Sequence, residues 1–236
     1  MEFKRGHPYP GLWINFEAGE GAGKGTHIKL LEKYLDENCF YVETGREPGG
    51  TAIGEQYRII LQNPDMPPLN PKTEILTYVA AGIELFDKAI RPVLEKRGIF
   101  LTERWRYSTE AYQGHGLGID LEVIKILTEF SCDGCYPDLT TLLDIDAKIG
   151  LRRVTGHEFG NHRTDKIEAR DLLYHERVNA GFREIARENA DSFFVVPYVE
   201  GDIEGMQNQI RQTVNNLIEQ HQLRNKLLRK SEIPNI

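Results

Sequence analysis

A chain of 236 residues is long enough to bury a sizeable core. Its formal charge of −7, with 28% charged residues, speaks against a nucleic-acid surface over the whole chain but leaves room for a local cationic pocket. No apolar run reaches bilayer-spanning length, the N-terminus MEFKRGHPYPGLWINF has no apolar signal region, and three cysteines are too few for a disulfide framework, so a soluble, cytoplasmic protein without membrane or nucleic-acid partners is expected.

In chain order, LWINFEA (Leu12 to Ala18) reads as a short buried strand, followed by a glycine-rich stretch and then by IKLLEKYLDE (Ile28 to Glu37), whose apolar residues fall at helical spacing. FYVETG begins a second strand. TEILTYVAAGIELFDKAIRPVLEKR (Thr73 to Arg97) is a long helical pattern in which Pro92 marks a kink or a break. GIFLTE, LTTLLDID and FFVVPY are the third, fourth and fifth strands, and helices lie near Leu121 to Phe130, Ile167 to Asn189 and Ile203 to Gln220. This alternation predicts an α/β protein with a five-stranded parallel sheet covered by helices on both faces. A single domain over residues 1–236 is expected. TGHEFGNHRTD (Thr155 to Asp165) is polar and unpatterned, and it interrupts two helices as a lid of about residues 152–166 would. The basic tail, about residues 222–236, reads as a frayed helix with a solvated face. Cys132 and Cys135 form a lone C-x-x-C without a second ligand pair, which points to a turn before Pro137 rather than to zinc.

The stretch NFEAGEGAGKGTH, Asn15 to His27, decides the chemistry. A phosphate-binding loop wants Gly, four residues, Gly-Lys and then Ser or Thr. Here Ala18 stands at the first glycine position and Gly25 at the hydroxyl position, with Thr26 next door. Gly19, Gly21 and Gly23 let the chain turn so that backbone N–H groups, including those of Glu20 and Ala22, point inward at a helix start, and Lys24 can reach the β- and γ-phosphates. The order Gly-Lys-Gly-Thr resembles that of adenylate kinases. The alternative is an ordinary glycine turn. Strand-to-helix context favours the cradle, and residues 19–26 are its expected ATP-binding set.

Three further stretches follow the later strands: REPGGT (Arg46 to Thr51), ERWRYSTEAYQG (Glu103 to Gly114) and YPDLTTLLD (Tyr136 to Asp144). In this order and spacing they resemble the thymidylate kinase family of P-loop nucleoside monophosphate kinases, from about Trp13 to beyond Glu168. The resemblance implies a P-loop kinase fold, ATP as co-substrate with Mg²⁺, phosphoryl transfer to a deoxynucleoside monophosphate, most simply dTMP, and a homodimer. It places Glu20 near the acceptor's sugar and the metal's waters. Arg46 and Arg104 match arginines that hold the acceptor phosphate. Glu103 matches an aspartate near Mg²⁺ and is one methylene longer; Thr26 is the other expected metal contact. Tyr78 matches an aromatic residue that stacks on the base, Thr109 a position at the base edge, and Tyr112 a tyrosine under the deoxyribose. Pro48, Ser108 and Gln113 belong to the same substrate motifs.

Some relatives carry an arginine in the loop where this chain has Gly21, and relatives without it draw arginines from the lid. Arg163 and Arg153 are the candidates here, with Arg152 beside them, while His157 and His162 read as solvated loop residues. The family helix carries an arginine four residues after the stacking aromatic; this chain has Gly82 there, which removes a donor to the base and would open space beside it. Thr109 or Glu84 would then read the base. A kinase for another or a wider set of monophosphates is one alternative, and a nucleotide-binding regulator with weak catalysis is the other.

Overall fold

The computed structural model describes residues 6–155, 165–224 and 227–232. Strand β1, Leu12–Ala18, is buried at all seven positions, because it lies mid-sheet with both faces covered. The sheet has the order β2-β3-β1-β4-β5 and every pair is parallel. Strand β2 is Val42–Arg46, β3 Ile99–Glu103, β4 Leu139–Asp144 and β5 Phe193–Pro197. Register places Phe16 opposite Glu103, and Glu103 opposite Arg46. The ends of β1, β2 and β3 therefore open on one edge of the sheet, and ligands of such sheets sit beyond that edge.

The two-residue period of β1 separates two cores. Leu12, Ile14, Phe16 and Ala18 face helices α1, Lys24–Glu37, and α9, Ile203–Arg224, whose Leu31, Leu35, Met206, Ile210 and Val214 complete one cluster. Trp13 points the other way and packs with Phe86, Phe100 and Trp105. Asn15 and Glu17 share the Trp13 side of the strand and are fully buried.

The long helical pattern forms α3, Pro71–Leu85, a widened π turn at Phe86–Ile90, and α4, Arg91–Glu95. The irregularity expected at Pro92 lies just upstream of it, where the ring would strike the preceding turn and no N–H is available. Helix α2, Ala52–Gln62, was not anticipated; it is capped by Thr51, which accepts from the Gly54 N–H at 2.9 Å. Helix α5, Arg106–Thr109, runs into a second π turn, Glu110–Gly116, and α6 covers Leu121–Ser131. Helix α7 is Ala147–Thr155. The helix expected from Ile167 begins at Leu172 as α8, Leu172–Glu188, because Asp171 caps it and the Asp165 carboxylate ties the Ile167 and Glu168 N–H groups into a separate turn.

The C-terminal segment departs from the solvated helix expected of it. Leu227 and Leu228 are buried, Arg229 bridges antiparallel to Phe40 with its guanidinium 3.9 Å from that ring's centroid, and the Tyr41 N–H donates to Leu228 O. Two leucines amid basic residues supply the apolar area that fastens the segment beside β2. Cys132 and Cys135 are free and buried in the turn after α6, as the lone C-x-x-C suggested.

Candidate active site

The glycine loop joins β1 to α1. Gly23 caps α1 at φ 83° and Gly21 sits at φ 69°, left-handed conformations that favour glycine. No side chain caps α1 and no acidic residue lies in its first turn, so its leading N–H groups are free for an anion. A Cβ on Gly21 would lie 2.3 Å from the Gly150 carbonyl oxygen of α7. An arginine cannot stand at 21 unless α7 withdraws.

Lys24 is buried, and its Nζ donates to Gly19 O at 3.1 Å and Ala18 O at 3.3 Å. Burial, and then the positive charge of Arg104, lower its pKa to about 8 against the pull of Glu20, Glu103 and Glu17. A cation held by carbonyls and short of counter-charge is suited to a phosphate.

Arg104 follows β3 at φ 67° and turns back across the loop. Its Nη2 pairs with both Glu20 oxygens at 2.9 and 3.1 Å, and its Nη1 donates to Ala18 O at 3.1 Å and Tyr112 Oη at 3.0 Å. The Tyr112 hydroxyl in turn donates to Glu20 at 2.5 Å. Burial works against the Glu20 carboxylate, but Arg104, Lys24 and Tyr112 together bring its pKa down to about 2. Glu17 lies beneath this cluster, accepting from the Trp105 N–H at 2.8 Å, Asn15 at 3.0 Å and Ser108 Oγ at 2.5 Å. It thereby fixes the turn that carries Arg104.

Glu20, Lys24, Arg104 and Tyr112 line a cavity of about 450 Å³ that also receives Arg46, Pro48, Tyr78, Glu103, Ser108, Thr109 and Gln113. Every loop residue from Glu20 to Thr26 reaches it; Gly19 is packed against Asn179 instead. Gln113 donates to Glu74 at 3.0 Å, and Arg170 clamps that same carboxylate. Arg46 is half-exposed and pairs with Glu55. Glu103 Oε2 lies 3.7 Å from where a Cβ on Gly25 would be. The longer Glu103 thus extends toward the space left by the missing side chain at 25.

Among the expected catalytic residues, Arg153 is absent from the cavity wall; its guanidinium lies 5.1 Å from the Tyr198 ring centroid. Arg152 pairs with Glu200. Arg163, His157 and His162 lie outside the described residues. The cavity wall also includes residues to which no motif gives a role, among them the charged Lys29, Glu47 and Arg58. Arg58 projects from α2 and donates to Pro48 O at 3.0 Å, while burial and the Arg46 charge lower its pKa. Seven positions after the Thr51 cap it shares that residue's helical face, a signal legible only once α2 is recognised. Glu84 does not line the cavity. Gly82 opens no empty space either: a Cβ there would meet Glu47 Oε1 at 3.1 Å, with Ser131 and Trp105 beyond.

A family model described as thymidylate kinase matches residues 16–210. The chain belongs to the thymidylate kinase family. It is 39% identical over 207 residues to a thymidylate kinase of Roseiflexus sp. (strain RS-1), covering 84% of this chain and 91% of that one. It is 39% identical over 178 residues to one of Halothermothrix orenii, covering 75% and 85%. The crystal structure of thymidylate kinase from Ehrlichia chaffeensis superposes with a TM-score of 0.71 at 31% identity, over 88% of this chain and all of that one. The five-stranded parallel sheet with helices on both faces is the P-loop kinase fold expected of the family. Among the described residues no three His, Cys, Asp or Glu side chains form a metal cage, and no helix is long and apolar enough to cross a membrane.

Proposed function

We propose that the chain transfers the γ-phosphoryl group of ATP to the phosphate of dTMP, as one kinase domain over residues 1–236. An acceptor phosphate oxygen bonds to the γ-phosphorus as the bond to the β,γ-bridging oxygen breaks, leaving dTDP and ADP. The observation that carries this reading is the meeting, in one cavity, of a free helix start with Lys24 and of Arg104 and Arg46 arriving from two other strand ends. Residues 20–26 would cradle the ATP phosphates, with Lys24 on the moving group; Gly19, expected in the same set, stays outside the cavity. Arg104 and Arg46 would orient the acceptor phosphate, and Glu20 with Tyr112 would hold Arg104 in place. Positioning of this kind supplies most of the rate in phosphoryl transfer. Tyr78, Thr109, Gln113 and Pro48 would form the base side, and Ser108 supports the turn beneath.

Glu103 beside Gly25, and Thr26 at the start of α1, are oxygen donors suited to Mg²⁺ carried in with the nucleotide. When bound, the ion would neutralise charge on the β- and γ-phosphates. Arg163 is the preferred lid arginine; Arg153 would first have to leave the Tyr198 ring. Exposed Leu76 and Ile83 on α3 and Ile126 and Phe130 on α6, two helices in contact, support a homodimer through that face. Free cysteines fit a cytoplasmic, reducing compartment.

The test is ADP formation from ATP with dTMP, dUMP, dCMP, dGMP or UMP as acceptor. ADP release that needs dTMP and is fastest with it is expected. ATP hydrolysis indifferent to any monophosphate, or transfer only to another acceptor, overturns the reading.

A further inference from the structure

Gln113, buried in the second π turn, lines the cavity, and two charged residues stand behind it, outside the cavity wall. Glu74 of α3 accepts from Gln113 Nε2 at 3.0 Å. Arg170, just before α8, donates from Nη2 to both Glu74 oxygens at 2.9 and 3.0 Å. Its Nη1 donates to Tyr174 Oη at 2.6 Å, and that hydroxyl donates to the backbone oxygen of Tyr112, the neighbour of Gln113, at 3.2 Å. One guanidinium thus secures both the partner of the Gln113 amide and the backbone that carries it. The two ends of an amide are not equivalent, since the NH₂ donates and the oxygen accepts. The Glu74 oxygens are acceptors to Arg170, so only the Nε2 end of Gln113 can face them. Oε1 is left to the cavity, and among the described residues no group donates to it.

We propose that Glu74 and Arg170 are positioning residues that hold the Gln113 amide with its oxygen toward the acceptor's base, and that this fixed orientation selects thymine or uracil over cytosine. The inference rests on the monophosphate kinase reading above and names what sets the base preference of that site. A thymine joined to its sugar through N1 carries a single polar hydrogen, on N3. An amide oxygen that faces the polar edge of that ring is therefore satisfied only at N3–H. Cytosine in the same place presents the N3 lone pair, so two acceptors meet and the hydrogen bond is lost. An amide free to turn over would meet cytosine N3 with its NH₂ and discriminate little. Neither Glu74 nor Arg170 need touch the nucleotide for this, because each acts through Gln113.

The measurement is the dissociation constants of dTMP, dUMP and dCMP by calorimetry, in the wild type, in Glu74→Gln and in Arg170→Lys. Glu74→Gln offers Gln113 a donor as well as an acceptor, which lets its amide turn over. Preference for dTMP over dCMP should then fall about ten-fold. Preference for dTMP over dUMP, which share N3–H, should stay as in the wild type. Arg170→Lys keeps the charge but loses the fork that spans Glu74 and Tyr174. It should move the dTMP-to-dCMP ratio in the same direction by about three-fold, and it serves alone if Glu74→Gln does not fold. A merely structural role would weaken all three ligands alike. Ratios unchanged in the folded variants, a dTMP-to-dUMP ratio that falls as far as the dTMP-to-dCMP ratio, or a wild type that binds dCMP as tightly as dTMP overturns the proposal. Absence of dTMP-dependent turnover in the wild type overturns instead the kinase reading, and the two failures are read from separate assays.

Discussion

Replacing Glu20 by Gln tests whether the loop and the β3 turn are held together by one ionic cluster. The Glu20 side chain is 13% exposed and shares two hydrogen bonds with Arg104 and one with Tyr112. Its pKa falls from 4.5 to about 2 on folding, which corresponds to about 3 kcal/mol of stability at neutral pH. A depressed folded pKa is stabilising above the unfolded value and loses that contribution as pH drops toward the folded value. The window here is from about pH 5 down to about 2. Glu20→Gln should therefore lower Tm by roughly 6–12 °C at pH 7, more if the guanidinium of Arg104 is left without a counter-ion. By pH 4 the advantage of the wild type should have shrunk by about 0.8 kcal/mol, since part of the unfolded chain's Glu20 is then protonated. The assay is reversible denaturation of both proteins from pH 7 to 4. A difference in Tm under about 2 °C, or a stability gap that does not narrow with acid, would refute the cluster as drawn.

Three further outcomes follow from the same geometry. Lys24→Ala should cut kcat by about 10²–10³, and because the wild-type lysine titrates near 8 in the free protein, kcat/KM for ATP should decline above that pH, a limb that Lys24→Arg removes; an unchanged pH profile in the arginine variant sinks this assignment. Gly21→Ala must hold a left-handed φ and overlap the Gly150 carbonyl, together roughly 2–5 kcal/mol, so its Tm should drop on the order of 10 °C, and a melt within about 2 °C of wild type contradicts the loop–α7 contact. Phe130→Glu, at a side chain 75% exposed on α6, should convert a dimer to a monomer in light scattering at micromolar concentration; a wild-type monomer there refutes the proposed face.

Much of this protein was legible before folding was considered. The inner strands announce themselves because parallel strands buried on both faces are largely apolar, and LWINFEA coincides with β1 end to end, whereas the edge strand β2, VETGR, has no buried residue. The glycine loop is legible because a backbone cradle needs glycine at fixed offsets, and Arg46, Glu103 and Arg104 because they stand where strands end. Other features depend on contacts between distant segments. Gly21 reads as a missing arginine until α7 closes over it. Gly25 and Glu103 look like two separate departures from the family, 78 positions apart in the chain, until their side-chain positions face each other. Glu47 and Gly82 likewise come together only in the fold, and Arg153 stands at Tyr198 rather than in the site. Local pattern sets which residues turn inward or outward along an element, a property of the backbone's period. Which inward side chains meet, and what charge each keeps after burial, is decided by packing alone, since burial and proximity exist only in the folded chain.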